Sequence, residues 1–385
     1  MIIAILCLLP VLAALALYLV LRQRNMHIWI VNYLRRRPAP AVDGPIHILF
    51  CFVDHYEPQW GKADLTRERE RVARWCRDYP ALASRHADAE GRPPQHTFFY
   101  PEEEYRHEHL EQLANLCEQG YGEVEIHLHH DNDTADGLRE KLSRFLRTLD
   151  EQHGLVPRHA DGRYAWSFIH GNWALDNSRA DGRWCGVNNE LAVLAEQGCY
   201  ADFTLPSAPS DTQTATVNSL YYARGRDGHC KSHNHGVPVR VGGRPEGDLM
   251  IIQGPLMLNW KQRKWGLMPR IENSDVRRAM APTAERVDLW VRAGIAVQGR
   301  PEWRFIKIHT HGTQDGDMDT LLGAPAEAMY EYLERRYNDG VQYQLHYVTA
   351  REMYNMARAA EAGEQGNPAQ YRDYVIAPPP RLRAR

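Results

Sequence analysis

Val124-Glu125-Ile126-His127-Leu128-His129-His130-Asp131-Asn132-Asp133 sets the architecture expected of this chain. The run from Val124 to His129 reads as a short buried strand that delivers metal-ligating side chains at its C-terminal end, where α/β barrels place their chemistry. Alternation along a strand puts His127 and His129 on one face and His130 on the other, so a facial pair of imidazoles is natural. Directly afterwards Leu138, Leu142, Phe145, Leu146 and Leu149 recur at helical spacing. Asp133 or Thr134 caps that helix, and for Asp133 capping and ligation are equally open.

The same pattern of an apolar run ending in Asp or His recurs twice. Ile46 to Val53 runs into Asp54-His55, and Phe305-Ile306-Lys307-Ile308 runs into His309. Three such strand ends suggest one metal-centred site. The plainer readings are a turn aspartate with a solvated histidine at 54–55 and a hydrogen-bonded strand-end histidine at 309. His309 and His311 straddle Thr310, and one of them could serve as a general acid because imidazole titrates near neutral pH. His229, Cys230, His233 and His235 could form a second zinc site, although such loops more often hold solvated histidines.

From Ile46 onward, strand-like runs alternate with amphipathic helices, which argues for a parallel sheet with crossover helices. The expected fold is α/β, an incomplete or distorted (β/α)7-8 barrel with an N-terminal transmembrane helix. Its parts are an anchor over 1–22, a juxtamembrane segment and linker over 23–44, the barrel over 45–360 and a flexible tail over 361–385. Ala223 to Asp248 breaks the rhythm with Gly, Arg, His and Pro and reads as a long loop. Thr349 and Glu352 have the spacing of a capping box for the last helix.

The chain has 385 residues and a formal net charge of −3, so charge gives no basis for nucleic-acid binding. Nineteen His and ten Trp would suit metal binding and stacking on sugars. Met1 to Leu21 contains no charged side chain, and at about 1.5 Å per residue it just spans a bilayer core of about 30 Å. The arginines that follow place the C-terminal side in the cytoplasm of a bacterial inner-membrane, single-pass protein by the positive-inside rule; the periplasmic face is the alternative. Seven Cys lack CxxC spacing and suit a reducing compartment, although six could also pair outside the cell.

At these strand ends the chain resembles the NodB-homology polysaccharide deacetylases, the carbohydrate esterase family 4 type. Phe52-Val53-Asp54-His55 looks like that family's paired-Asp motif, Glu125 to His129 with Asp133 like its His-rich motif, and Ile306 to His309 like its late hydrophobic-x-His motif. Trp166 to Trp173 falls where the third motif belongs, without the usual Arg, and Asn172 and Trp173 are its candidate substrate contacts. His55 stands in place of the family's Asp and Asp133 in place of its second His. The resemblance implies Asp54 as catalytic base, His55, His129 and Asp133 (with His127 also a candidate) as ligands of a divalent metal, most simply Zn2+, and His309 as general acid. It implies hydrolysis of an N-acetyl amide on a sugar of a polysaccharide or lipid-linked glycan at a membrane, with partner proteins of a polysaccharide-assembly complex. Two other readings stand beside it. One is a glycoside hydrolase using carboxylates among Glu57, Glu102, Glu103 and Glu104; the other is a non-catalytic glycan- or partner-binding barrel.

Overall fold

An N-terminal helix α1 (Ile2–Gln23) and a short α2 (Ile30–Arg35) lead into β1 (Ile46–His55) in this computed structural model, which describes residues 2–36, 40–226 and 228–383. Strands and helices then alternate as the periodicity predicts: α3 (Leu65–Ala83), β2 (His96–Pro101), α4 (His107–Glu118), β3 (Gly122–Leu128), α5 (Ala135–His153), β4 (Trp166–His170), α6 (Glu190–Glu196) and β5 (Cys199–Asp202). Five strands follow with no α-helix between them among the described residues: β6 (Leu220–Ala223), β7 (Val237–Pro238), β8 (Leu249–Ile252), β9 (Met257–Lys264) and β10 (Met268–Glu272). The chain ends with α7 (Ala284–Ala293), β11 (Trp303–Thr310), α8 (Asp315–Leu321), α9 (Ala324–Tyr337), β12 (Tyr343–Val348) and α10 (Ala350–Ala362).

Ten strands form one mixed sheet in the order β11-β1-β2-β3-β4-β5-β8-β6-β7, with β12 also paired to β1. β1 is its spine. It runs parallel to β11 along 47–54, to β12 over 46–51 and to β2 over 52–55. β6 and β7 are antiparallel additions. The sheet curls strongly, since Lys307 on β11 donates to the carbonyl of Phe203, just past β5, at 2.7 Å. The expected α/β class holds, and the expected incomplete or distorted (β/α)7-8 barrel, read as a parallel sheet, is corrected to a curled, mixed ten-stranded sheet. The 223–248 interruption is where helices give way to hairpin-like pairing.

Both faces of the central strands are covered, which explains their near-continuous apolar runs. Even-numbered residues such as Phe50, Phe52, Phe98, Ile126 and Leu128 pack under the helices. Odd-numbered Leu49, Cys51, Val53, Phe99 and Ile169 share the other core with Met353, Met356 and Ala357 of α10. The Thr349–Glu352 capping box starts α10, and Arg351 ties it to the sheet through a buried pair with Glu123 at 2.8 Å.

Three expectations about the termini change. No helix among the described residues is long and apolar enough to cross a membrane. The transmembrane anchor at 1–22, and with it the single-pass inner-membrane placement, is overturned. The 23–44 segment is not a bare linker either. Trp29 is fully buried against Ala208, Leu256 and Leu258, and Asn32 donates to the Ala215 carbonyl at 2.8 Å. Beyond α10 the chain folds back over the domain. Arg351 and Asn355 bond the Ile376 carbonyl, and Arg381 pairs with Glu111 and Glu118 at 2.7 Å each. The described part of 361–385 is thus docked rather than tail-like.

Candidate metal centre

At the C-terminal ends of β1, β3 and β11 five potential ligands converge. His55, Glu57 and His311 bring one donor atom each within 4.8 Å of one another, and so do Glu57, His127 and His129; Glu57 belongs to both groups. His127 and His129 form the facial pair that strand alternation predicts. Their Nε2 atoms lie 3.1 and 3.2 Å from the same oxygen, Glu57 Oε1. Each imidazole is held from behind: His127 Nδ1 lies 2.9 Å from the Ile169 carbonyl, and His129 Nδ1 contacts the Glu103 carboxylate. Such outer partners orient each ring so that Nε2, which faces Glu57, is the nitrogen a metal would take.

His55 is buried among aromatic rings. Its ring stacks on His311 at 4.5 Å between centroids and lies 4.7 Å from His127 and from Trp173. Both of its ring nitrogens, and Glu57 Oε2, are buried without a hydrogen-bond partner. Unpaired buried polar atoms are costly, so three of them facing a cluster of donors need an explanation. A divalent cation supplies one, and the donor set of imidazoles plus one carboxylate suits it.

Electrostatics separate the imidazoles. Burial, reinforced by His311, His127, His309 and His129, drives the His55 pKa well below 6.5 and keeps the ring neutral. Burial also lowers His127. His129 differs: burial opposes its charge, but Glu103 and Glu57 prevail and raise it to about 10. Burial would raise Glu57, yet hydrogen bonds from His127 and His129 hold it below the usual carboxylate range. Nearby Glu104 is pushed up to about 8, chiefly by burial.

Two glycines make the close packing feasible. A Cβ on Gly171 would lie 2.4 Å from the His129 ring, and one on Gly312 would lie 2.0 Å from Asp54 Oδ2. Trp173 adopts a left-handed φ of 63°, uncommon for a bulky residue. That conformation brings its indole against His55 and within 5.1 Å of His309.

Asp54 is not part of this cluster. β1 continues through His55, so neighbouring side chains fall on opposite faces. The Asp54 carboxylate lies beneath the sheet, accepting the Gly312 amide and lying 2.9 Å from His96 Nε2. Asp133 is also elsewhere: Oδ2 holds His130 Nδ1 at 3.0 Å and Lys141 Nζ at 2.6 Å. Thr134, not Asp133, caps α5. His309 is buried beside the cluster, outside both ligand groups, and its pKa is driven well below 6.5 by burial and by Lys307. Asn172 contributes its amide N–H to His170 Nδ1 at 3.3 Å.

Glu57 is the candidate ligand that strand reasoning did not assign. It follows the end of β1 by two residues, and the only signal for it was the same odd-numbered parity as His55. The proposed group at His229, Cys230, His233 and His235 does not assemble among the described residues, since Cys230 is exposed while His233 is buried with both nitrogens unpartnered. No protein-family model matches the chain, and no curated protein matches it.

Proposed function

We propose that this protein is a metal-dependent hydrolase that removes an N-acetyl group from a sugar of a polysaccharide or glycan. The observation that carries this reading is the convergence of His55, Glu57, His127, His129 and His311 from three strand ends, with three unpartnered polar atoms among them. These residues would hold the ion, and zinc suits a set dominated by imidazole. A bound divalent cation supplies Lewis acidity toward an amide carbonyl and toward water.

The chain's own groups supply the rest. Glu103 and the Ile169 carbonyl keep His129 and His127 aimed at Glu57. Trp173 walls the site and offers an aromatic face to a sugar ring, while Asn172 sits beside it. His309, held neutral by burial and by Lys307, carries no charged ring from which to donate a proton. Glycoside hydrolysis is less well supported, because Glu57 is committed to two imidazoles and Glu104 accepts the Gln59 amide at 2.6 Å.

Metal content, acetate release and reducing-end release from an acetylated oligosaccharide test this reading together. Acetate release by the parent, with Glu57→Gln losing both metal at this centre and at least about 100-fold in rate, is expected, since an outer-partner mutation alone costs 10–100-fold. Release of reducing ends without acetate, or full metal retention in Glu57→Gln, would overturn it.

A further inference from the structure

A second group of ligands lies beside the first, on the other face of β3. His130 follows the end of β3, His170 ends β4, Cys185 lies in the loop after β4, and Glu190 opens α6. One donor atom from each falls within 4.8 Å of the others. We propose that His130, His170, Cys185 and Glu190 form a closed four-ligand zinc site, distinct from the candidate hydrolytic centre.

Four side chains from four chain segments meet with Glu190 at the hub. Its Oε1 lies 3.0 Å from His130 Nε2 and 3.8 Å from His170 Nε2, and its Oε2 lies 3.5 Å from Cys185 Sγ. All four side chains are buried. Ligands at about 2.0–2.3 Å from a shared tetrahedral ion lie roughly 3.3–3.8 Å apart, so closing on one needs the 3.0 Å His130–Glu190 pair to open slightly and the wider separations, up to 4.8 Å, to contract. A thiolate and a carboxylate would cancel the ion's two charges, leaving no net charge in the interior.

Two features point to a ligand rather than to a self-contained hydrogen-bond network. His170 Nε2 is buried with no partner and faces the group. His130 is also held from behind by Asp133, which Lys141 anchors in turn; a carboxylate behind a ligating histidine is the usual outer arrangement at zinc. The Val187 amide approaches Cys185 Sγ at 3.4 Å, the sulfur itself donating toward Glu190 Oε2 and the Val187 carbonyl until a metal displaces its proton, and the Asp176 amide holds Glu190 Oε2 at 2.6 Å. Ligation by His170 Nε2 requires the ring proton on Nδ1, so the long 3.3 Å approach of the Asn172 amide would open on loading.

The site would staple the loop between β4 and α6 to the sheet. That loop carries Trp173, and it is pressed so closely that a Cβ on Gly186 would lie 2.6 Å from the Asp133 amide. Zinc here would thereby hold the indole that walls the neighbouring centre.

Full-length protein loaded with zinc, and separately with cobalt, tests the site without reference to catalysis. Cys185→Ser should lose one metal equivalent and the near-ultraviolet thiolate-to-cobalt band, whereas Glu57→Gln should keep that band. A parent with no thiolate-to-cobalt band, or a Cys185→Ser variant with the parent's metal content, would overturn the site. Should Cys185→Ser fail to fold, alkylation of the intact parent mapped to Cys185 decides: zinc should protect the thiol and a chelator should expose it. Equal modification in both conditions overturns the proposal.

Discussion

The two histidine clusters lie back to back on β3, one built on His127 and His129 and the other on His130, yet they differ in closure. His129 keeps 30% of its side-chain surface exposed and His311 is half-buried, so the first cluster is open to solvent on one side. The second is sealed, and it contains the sulfur that the first lacks. Catalytic metal sites keep an open position, whereas structural sites are closed. A single strand end can therefore serve chemistry on one face and architecture on the other, because consecutive residues point in opposite directions.

The largest effect that would separate the clusters is on stability. At free zinc 1,000-fold above its dissociation constant, a site formed only in the folded state stabilises it by about 4 kcal/mol. Denaturation with and without chelator should show a loss larger by that order in the parent than in Cys185→Ser, which keeps only the open cluster. An equal chelator response in both would erase the distinction between a sealed and an open cluster. Asp54→Asn comes next: weakening charge-assisted bonds to His96 and Gly312 should cost about 1.5–3 kcal/mol in denaturant unfolding, while metal at the open cluster is retained. Loss of that metal instead would return Asp54 to the site.

Outer partners should then act locally. Glu103→Gln should weaken metal binding at the open cluster by roughly 10–100-fold and Asp133→Asn at the sealed one by the same factor. Competition with a chromophoric chelator measures both, and cross-effects of similar size would mean that the clusters act as one. The smallest change is a control far from either: Thr349→Ala removes the α10 cap and should cost about 1 kcal/mol with both metal contents intact.

Much of this architecture was legible in the residues. Apolar runs ending in His marked β1, β3 and β11, and the facial geometry of His127 and His129 followed from a period of two. Leu138 to Leu149 marked α5 for the same kind of reason. Asp54 and Asp133 were misplaced because each question turned on where a strand stopped. β1 runs one turn-free residue further than the shared-site reading of Asp54 and His55 allowed, and Asp133 sits past a strand that had already ended at Leu128. The 23–44 segment misled in a different way: an apolar, aromatic stretch between arginine clusters reads as a juxtamembrane piece, yet Trp29 and Met26 bury themselves against the domain.

By itself, the amino-acid order determined which faces were apolar, where imidazoles would emerge and which helices would be capped, since these depend on periods of two and 3.6 residues. Only the tertiary structure decided that Glu57 joins His127, and that Cys185 and Glu190 meet His130 and His170. Those partners lie 70, 55 and 60 residues from the β3 histidines they meet, or 15 and 20 residues past His170, and nothing local sets the curl of a sheet that makes them neighbours.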